Sequence, residues 1–315
     1  MKRKPSMESM VKDYLCYRRH LGFGLSREGT QLLSFARFAD QAGHHGPLTL
    51  KLAVSWARAS QHARRLTWAR RLGVVRRFAK YRLQFDPHTE VPPPGLLGPT
   101  SRRLVPHIYS REEIADLLDA TAKLTSRNGL RAATYEAFLG LIAATGLRLS
   151  EALQLQRSDV DLTQDLMTIR QTKFQKSRLV PLHASTTQVL RRYAGFRDRK
   201  IIVPESDSFF LSTRGATLDP RTVEYTFARL RKRLGWIARG SYRFPRIQDL
   251  RHSFICHRLV SWYQQGVDVD NFILALSTYA GHTQVTDTYW YVTAIPELMA
   301  IAARRFERFA KGETR

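Results

Sequence analysis

The chain has few cysteines, few acidic residues and no long apolar run. Cys16 and Cys256 lie far apart, so neither a disulfide framework nor a zinc cluster is indicated. No uninterrupted apolar segment reaches the ~18 residues that a membrane-spanning helix needs, and the basic start, Met1 to Pro5, lacks the apolar core of a signal peptide. We therefore expect a cytoplasmic protein with no structural metal and no membrane anchor.

What the chain has in excess is positive charge. Its 315 residues include 51 Lys and Arg but only 27 Asp and Glu, which gives a formal net charge of +24. A field of this sign attracts polyanions, so nucleic acid is the first partner to expect. Hydrophobic residues make up 43% of the chain, which is enough to build the cores of two globular domains.

The first 86 residues show the pattern of a small helical bundle. Apolar residues recur at helical spacing in four segments, about 6–20, 27–42, 49–60 and 64–85. The fourth segment combines two faces. Its apolar stripe consists of Trp68, Leu72, Val75, Ala79 and Leu83, whereas Arg70, Arg76, Arg77 and Lys80 point mostly elsewhere. A charge run is usually a solvated face, but acidic residues are absent here, so we predict that these four basic residues contact the DNA backbone.

A proline-rich stretch separates the bundle from the rest of the chain. It includes Pro92-Pro93-Pro94, a composition that cannot continue a helix. We predict a DNA-binding domain over residues 1–86, a linker over 87–105 and a second domain over 106–315. Ser110 and Glu113 have the spacing of a capping box that opens the first helix of the second domain.

The second domain is predicted to be mainly α with a small antiparallel β-sheet. Residues 166–169 and 178–182 predict a β-hairpin, and a further strand is expected near 209–212. The basic tip of the hairpin contains Lys173 and Lys176, and because a lysine at such a tip can reach into a groove, Lys176 is a further predicted DNA contact. Further helices are predicted at about 185–197, from Pro220 with Asp219 as its cap, from about 247, and from Pro296 to the end. The apolar stripe of that last helix packs either in its own core or on a neighbouring subunit.

Three motifs of this domain contain groups suited to phosphate chemistry. Gly146 ends one helix and leaves Arg148 at a turn, where Glu151 can reach back to orient it. Arg251 is expected in the first turn of a helix, where free N–H groups already favour a phosphate. Gly281-His282 precedes Tyr289-Trp290-Tyr291. Such tyrosines are usually core residues, but a phenol can attack phosphorus when cations hold the phosphate.

The order and spacing of these motifs resemble the tyrosine recombinase (phage integrase) family. The matching segments are Thr145–Glu151, Lys173 before Arg178-Leu179-Val180-Pro181-Leu182, Asp249–Phe254, and Gly281-His282 nine residues before Tyr291. The close resemblance covers about residues 106–295. It implies a helical core-binding bundle followed by a mixed α/β catalytic domain with a C-terminal oligomerisation helix.

The resemblance also implies a role for each site residue. Arg148 and Arg251 would bind the non-bridging oxygens of the scissile phosphate, and His282 would add a hydrogen bond. Lys173, preferred to Lys176 by its spacing, would protonate the leaving 5′ oxygen.

The resemblance implies Tyr291 as the nucleophile, because the family places it nine residues after the histidine, and Tyr289 is the alternative. Its attack would leave a 3′-phosphotyrosyl link. Because that link keeps the phosphoester energy, no ATP, metal or other cofactor is implied.

One position departs from the family pattern. Three residues before Arg251 the family usually has histidine, whereas this chain has Gln248. The amide can donate a hydrogen bond to a phosphate oxygen, but it cannot titrate near neutral pH. An acid–base role is therefore in doubt at Gln248.

The resemblance implies a site-specific recombinase that acts on double-stranded DNA as a homotetramer, and we expect it to serve a mobile element, either alone or with sister recombinases. A nicking–closing topoisomerase is an alternative, since the same phosphotyrosyl chemistry relaxes supercoils when religation occurs in place. A DNA-binding protein without catalysis is a third hypothesis, which Gln248 favours. It predicts binding without a covalent adduct.

Overall fold

In a computed structural model the chain forms two compact units, Met1–Arg103 and Leu104–Arg315. The structure describes residues 5–60, 63–100, 104–126, 128–170 and 177–294, together with 299–300, 303–304, 307 and 310–311. Within these ranges no helix is long and apolar enough to cross a membrane. Nor do the described His, Cys, Asp and Glu side chains form a group of three or more that could hold a metal ion.

The first unit contains the predicted four helices. Ser6 starts the first one by accepting a hydrogen bond from the Ser9 N–H, and Thr49 starts the third by accepting one from the Leu52 N–H. The helices are α1 (Met7–His20), α2 (Ser26–Gln41), α3 (Leu50–Arg58) and α4 (Arg65–Arg82).

The apolar stripe of α4 is shorter than the sequence predicts. Leu72, Val75 and Ala79 are buried, but Leu83 is 44% exposed. Leu83 is the C-cap of the helix and its N–H still donates to the Ala79 carbonyl, so the buried part of the stripe ends at Ala79 although the backbone stays helical to Leu83. Phe78, one residue before Ala79, is fully buried and widens the apolar face.

Part of the proline-rich stretch packs against the first unit. Val91 and Leu97 lie against its apolar core, and the Arg76 guanidinium donates hydrogen bonds to the carbonyl oxygens of Pro92 and Pro93 at 2.6 and 2.7 Å. Residues 91–97 of the stretch predicted to be a linker are therefore fastened to α4 and to the bundle core.

The second unit begins with the predicted capping box. Ser110 Oγ accepts from the Glu113 N–H, and Glu113 Oε2 accepts from the Ser110 N–H. Its helices are α5 (Arg111–Ala122), α6 (Leu130–Thr145), α7 (Leu149–Gln154), α8 (Ala184–Lys200), α9 (Pro220–Arg233), α10 (Ile247–Gln264), α11 (Val269–Ala280) and α12 (Thr286–Ala294).

A small antiparallel sheet in the order β1-β2-β3 completes the second unit. Its strands are β1 (Val160–Asp161), β2 (Leu166–Ile169) and β3 (Arg178–Pro181). The predicted hairpin is β2 with β3, and Met167 and Val180 lie opposite each other on the buried face. Its tip, with Lys173 and Lys176, lies outside the described residues, as does Pro296, the predicted start of the last helix.

The strand predicted near residues 209–212 is wrong. Phe209, Phe210 and Leu211 are all buried, without the alternation of a half-buried strand. The Leu211 N–H donates to the Tyr193 hydroxyl at 3.0 Å. The segment forms an isolated bridge between Leu211 and Thr217 and single backbone bonds from Phe209 to Leu155 and from Ser212 to Ala216, but no continuous ladder with the described residues. A side chain, not a neighbouring strand, therefore satisfies the Leu211 N–H.

Two apolar clusters position the second unit's functional motifs. The larger one surrounds α6, which packs against α5, α8 and α10. The smaller one lies among α10, α11 and α12 and includes Ile255, Leu276 and Tyr291. Because α10 belongs to both, its first turns face the α6–α7 turn while its later turns support the helices that follow His282.

Candidate active site

Arg148 lies at the turn between α6 and α7. The turn depends on Gly146, whose φ of 65° is left-handed and whose Cβ, if present, would lie 2.6 Å from the Phe254 ring. The Glu151 carboxylate accepts from the Arg148 N–H at 3.0 Å and from its Nη1 at 2.7 Å. Arg148 Nη2 donates to the Gly281 carbonyl at 2.5 Å. Arg148 is thus held between the α7 start and the end of α11.

Arg251 extends from α10, in its second turn rather than the first that the sequence predicted. Its Nη1 donates to the Gly146 carbonyl at 2.7 Å, whereas its Nη2 is buried and has no hydrogen-bond partner among the described residues. Burial and the nearby Arg148 lower the pKa of Arg251 to about 10, so the group stays charged at neutral pH. A buried, unpaired guanidinium N–H is destabilising unless an acceptor, ideally an anion, binds it.

His282 follows Gly281, whose φ of 72° ends α11. The His282 Nδ1 lies 2.7 Å from the Thr288 hydroxyl oxygen, which fixes the orientation of the ring. Burial, together with the positive charges of Arg251 and Arg148, lowers the pKa of His282 to about 3. His282 is therefore a neutral imidazole at pH 7, able to donate a hydrogen bond without adding positive charge.

The two candidate nucleophiles have different surroundings. Tyr291 is 3% exposed, and its ring stacks on the His282 ring with centroids 6.3 Å apart and planes at 8°. Tyr289 is 41% exposed, and its hydroxyl donates to Asp270 at 3.3 Å. The geometry therefore brings Tyr291, not Tyr289, to the arginine and histidine side chains.

A residue that sequence reasoning missed joins this cluster from β3. Arg178 Nη1 and Nη2 donate to the two Glu151 carboxylate oxygens at 3.1 and 2.9 Å, and its Nε donates to the Tyr279 carbonyl at 3.0 Å. Burial alone would raise the pKa of Glu151, but the hydrogen bonds and charges of Arg178 and Arg148 outweigh it and lower that pKa to about 2. From the sequence, Arg178 is recognised only as part of the hairpin motif, without a role in the site. The signal that could have found Arg178 is Glu151 itself, because a buried carboxylate is stable only when enough cationic partners surround it.

Other predicted site residues lie apart from these contacts. Gln248 is half-buried near the start of α10, and its side chain makes no hydrogen bond with the described residues. Lys173 and Lys176 lie outside the described part of the chain. The structure thus brings together Arg148, Glu151, Arg251, His282 and Tyr291, and it adds Arg178 and His252, whose Nδ1 lies 2.5 Å from the Tyr291 hydroxyl oxygen.

The four basic residues of α4 predicted to contact DNA line one groove of the first unit. Arg77 is exposed and lies 3.9 Å from Glu28, and Lys80 is exposed. Arg70 donates to the Thr100 carbonyl at 3.1 Å, whereas Arg76 binds the proline-rich stretch. Arg77 and Lys80 are therefore the groove residues best placed to meet an incoming polyanion.

The cluster in the second unit has the groups that phosphoryl transfer needs. Two buried or half-buried guanidinium groups can neutralise the non-bridging oxygens of a phosphodiester. A neutral imidazole can add a hydrogen bond, and a phenol lies next to it. The model of the phage integrase family matches residues 109–297, which contain this whole cluster.

The chain belongs to the phage integrase family. As a family member it is a tyrosine recombinase, an enzyme that breaks and rejoins DNA strands. It is similar to "Putative integrase/recombinase y4rB" of Sinorhizobium fredii, with 42% identity over 95% of this chain and 96% of the relative. A second protein of that organism, "Putative integrase/recombinase y4rE", is 38% identical over 94% of each chain. Tyrosine recombinase XerC of Chlamydia trachomatis is 28% identical over 74% of this chain and 68% of its own length.

Solved structures of this family share the fold. The XerH site-specific recombinase bound to palindromic difH substrate matches 95% of this chain and 85% of its own, with a TM-score of 0.64 and 18% identity. The Tn1549 transposon integrase in complex with transposon right end DNA matches 97% of this chain and 100% of its own, with a TM-score of 0.67 and 17% identity. The predicted architecture, a helical region followed by a catalytic domain with a small antiparallel sheet, is confirmed.

Proposed function

We propose that this recombinase is site-specific and cleaves duplex DNA through a 3′-phosphotyrosyl intermediate at Tyr291. The observation that most supports the proposal is the buried, unpartnered Nη2 of Arg251. This nitrogen lies in a site where Arg148 and Tyr291 are both close enough to Arg251 to affect its pKa. A phosphodiester oxygen is an acceptor of the charge and size that this donor requires.

The proposed reaction begins when Arg148 and Arg251 bind the two non-bridging oxygens. Negative charge grows on those oxygens as five oxygens surround the phosphorus, so fixed guanidinium groups lower the barrier. The Tyr291 oxygen forms its bond to phosphorus while the bond to the 5′ oxygen breaks, and His282 donates a hydrogen bond to the phosphate. Lys173, assigned from the spacing of the family motif, protonates the leaving 5′ oxygen.

Religation reverses these steps. A free 5′ hydroxyl of the same or another strand attacks the phosphotyrosyl phosphorus and releases the phenol. Because one phosphoester bond forms as another breaks, neither ATP nor a metal ion is needed as an energy source. Exchange of strands between two paired sites requires several active sites. We propose that the protein assembles on DNA as a homotetramer, or as a hetero-oligomer with sister recombinases.

The biological role that we propose is service of a mobile element. Two relatives from one organism are named integrase/recombinase, and a transposon integrase shares the fold. The presence of two such relatives in one organism supports a set of sister recombinases. Gln248 supports the same idea, because an amide at this position cannot move a proton and a partner subunit could compensate.

A recombination assay tests the proposal. The purified protein is incubated with plasmids that contain two copies of the DNA flanking its own gene, and exchange products are counted together with protein–DNA adducts resistant to SDS. We expect both products from the wild type and neither from Tyr291→Phe. Relaxation of supercoils without exchange would favour a nicking–closing enzyme, and DNA binding without any adduct would contradict the proposal.

A further inference from the structure

His252 makes a contact with Tyr291 to which the family resemblance assigns no role. The residue follows Arg251 on α10, and its Nδ1 lies 2.5 Å from the Tyr291 hydroxyl oxygen. The two rings are 5.5 Å apart between centroids and inclined at 43°. This is the distance of a short hydrogen bond to the very oxygen that is proposed to attack phosphorus.

The protonation state of His252 suits an acceptor. The pKa of His252 is lowered to about 4, mainly by burial and in smaller part by Arg246 and Arg251, although Asp249 acts in the opposite direction. The ring is therefore neutral at pH 7. With its hydrogen on Nε2, the Nδ1 lone pair accepts from the phenol.

His282 is placed differently, although it also contacts Tyr291. Its Nδ1 is turned to the Thr288 hydroxyl, and its ring stacks on the Tyr291 ring nearly in parallel. The His282 ring thus lies parallel to the phenol ring, whereas His252 contacts the hydroxyl. Gln248, at the position where the family usually has histidine, cannot accept a proton at all.

We propose that His252 is the general base that takes the proton from Tyr291 during cleavage, an inference that rests on the proposed phosphotyrosyl chemistry. As the Tyr291 oxygen forms its bond to phosphorus, its O–H bond breaks and the proton moves to His252 Nδ1. The electron pair of the P–O5′ bond leaves with the 5′ oxygen. In religation the protonated His252 returns the proton to the departing phenolate.

The charges around His252 support this exchange. Asp249 and Arg251 of its own helix and Arg246, the N-cap of that helix, act on its charge, and from the neighbouring elements it faces Tyr291 and His282. A bound phosphodiester adds negative charge beside the arginines, which weakens their repulsion of a proton on His252. Substrate binding therefore makes His252 a stronger base at the moment when it is needed.

Single-turnover cleavage of a nicked DNA substrate tests the proposal. The rate of covalent adduct formation is measured for the wild type, His252→Gln and a control, His257→Gln. His257 is a half-buried histidine of the same helix that interacts with the Tyr109 backbone. We expect His252→Gln to be slower by roughly 10²-fold or more with unchanged DNA affinity, and His257→Gln to cleave at close to the wild-type rate.

A second measurement separates proton transfer from positioning. When 3,5-difluorotyrosine replaces Tyr291, its more acidic phenol needs a base less, so the defect of His252→Gln shrinks by about tenfold or more. A defect of unchanged size would show that His252 only positions the phenol and would overturn the proposal. His252→Asn, measured in the same way, guards against a folding defect peculiar to one variant.

A modified leaving group supplies an independent check. A substrate with sulfur at the 5′ bridging position needs no proton on its leaving group, so it restores cleavage to Lys173→Ala. It leaves His252→Gln slow, because the phenol must still lose its proton. Restoration of His252→Gln by this substrate would overturn the assignment.

Loss of the phosphotyrosyl chemistry and loss of the His252 role give different results in this assay. If the wild type forms no adduct, the phosphotyrosyl chemistry and the role of His252 are both contradicted. If the wild type forms the adduct and His252→Gln forms it equally fast, only the role of His252 is overturned.

Discussion

Glu151 binds both terminal nitrogens of Arg178, at 3.1 and 2.9 Å, in a forked geometry. The same carboxylate binds the side chain and the backbone N–H of Arg148. One buried acid therefore orients two guanidinium groups, and Arg178 influences Arg148 through it. Arg178 is a positioning residue by this arrangement, since its own nitrogens are directed to Glu151 and to the Tyr279 carbonyl.

Arg178→Lys tests that relationship. A lysine keeps the charge but cannot make the forked contact, so Arg148 loses part of its support. We expect adduct formation to slow by roughly 10-fold to 10²-fold, the loss typical of a small misplacement of a phosphate-binding group, with DNA affinity nearly unchanged. Arg191→Lys is the matched control, because exposed Arg191 donates to the Leu162 carbonyl and, among the residues that the structure describes, forms no ion pair. Equal rates for the two variants would refute the positioning role.

Glu151 gives the protein a predictable pH dependence. Its folded-state pKa of about 2 lies below the ordinary value of 4.5, so its ionised form contributes stability that is fully present above about pH 4.5 and is lost as pH falls toward 2. We expect Glu151→Gln to lower the free energy of unfolding at pH 7 by about 3–5 kcal/mol, because two arginines lose their partner. The difference in free energy of unfolding between Glu151→Gln and the wild type should become smaller below pH 4.5.

Urea unfolding at pH 7 and at pH 3.5 measures both effects. The control is Glu136→Gln, which removes a surface pair with Arg192 and should change stability by less than about 1 kcal/mol. A difference between Glu151→Gln and wild type that does not depend on pH would contradict the ionised role of Glu151.

Gly146 is predicted to be irreplaceable for two separable reasons. Its positive φ strains any side chain, and its Cβ would meet the Phe254 ring at 2.6 Å. Gly235 has a similar φ of 66° with nothing within 4 Å of its Cβ, so Gly235→Ala reports the backbone strain alone. We expect Gly146→Ala to be less stable than Gly235→Ala by about 1–3 kcal/mol in denaturant unfolding. It should also cleave more slowly, because the Gly146 carbonyl holds Arg251.

Neighbouring arginines of α4 should have different effects on DNA binding. Arg77 is exposed, with a distant partner in Glu28, so Arg77→Ala should weaken binding and reduce the salt slope of the binding constant by about one. Arg76 is engaged by the Pro92 and Pro93 carbonyls, so Arg76→Ala should mainly lower the stability of the first unit. Fluorescence anisotropy at several salt concentrations distinguishes the two variants. Identical salt slopes for Arg77→Ala and Arg76→Ala would contradict the different roles of the two arginines.

The sequence predicts the elements whose causes are local. The four helices of the bundle, the Ser110 capping box and the β2–β3 hairpin follow from periodicity and cap residues, and all are present. The strand near 209–212 fails because those residues are buried by distant side chains such as Tyr193, which no local pattern records. Leu83 has helical spacing but is exposed, because spacing does not show how far along α4 the apolar core extends.

Some residues of the candidate site could also be predicted from the sequence, and others could not. Motif spacing identifies Arg148, Arg251, His282 and Tyr291, which the structure brings together. It misses Arg178 and His252, because their roles depend on which helices and strands meet in three dimensions. The distinction between Tyr291 and Tyr289 also becomes physical only in the fold, where one phenol is buried beside two histidines and the other is exposed beside Asp270.

The central claim is that Tyr291 forms the covalent bond to DNA, and mass spectrometry of the trapped adduct tests it most directly. The adduct formed with a nicked substrate is digested with protease and nuclease, and the peptide bearing the nucleotide is sequenced. We predict a nucleotide joined through its 3′ phosphate to Tyr291, and a free 5′ hydroxyl on the released strand. A nucleotide on Tyr289, or a 5′-phosphate linkage, would contradict the account.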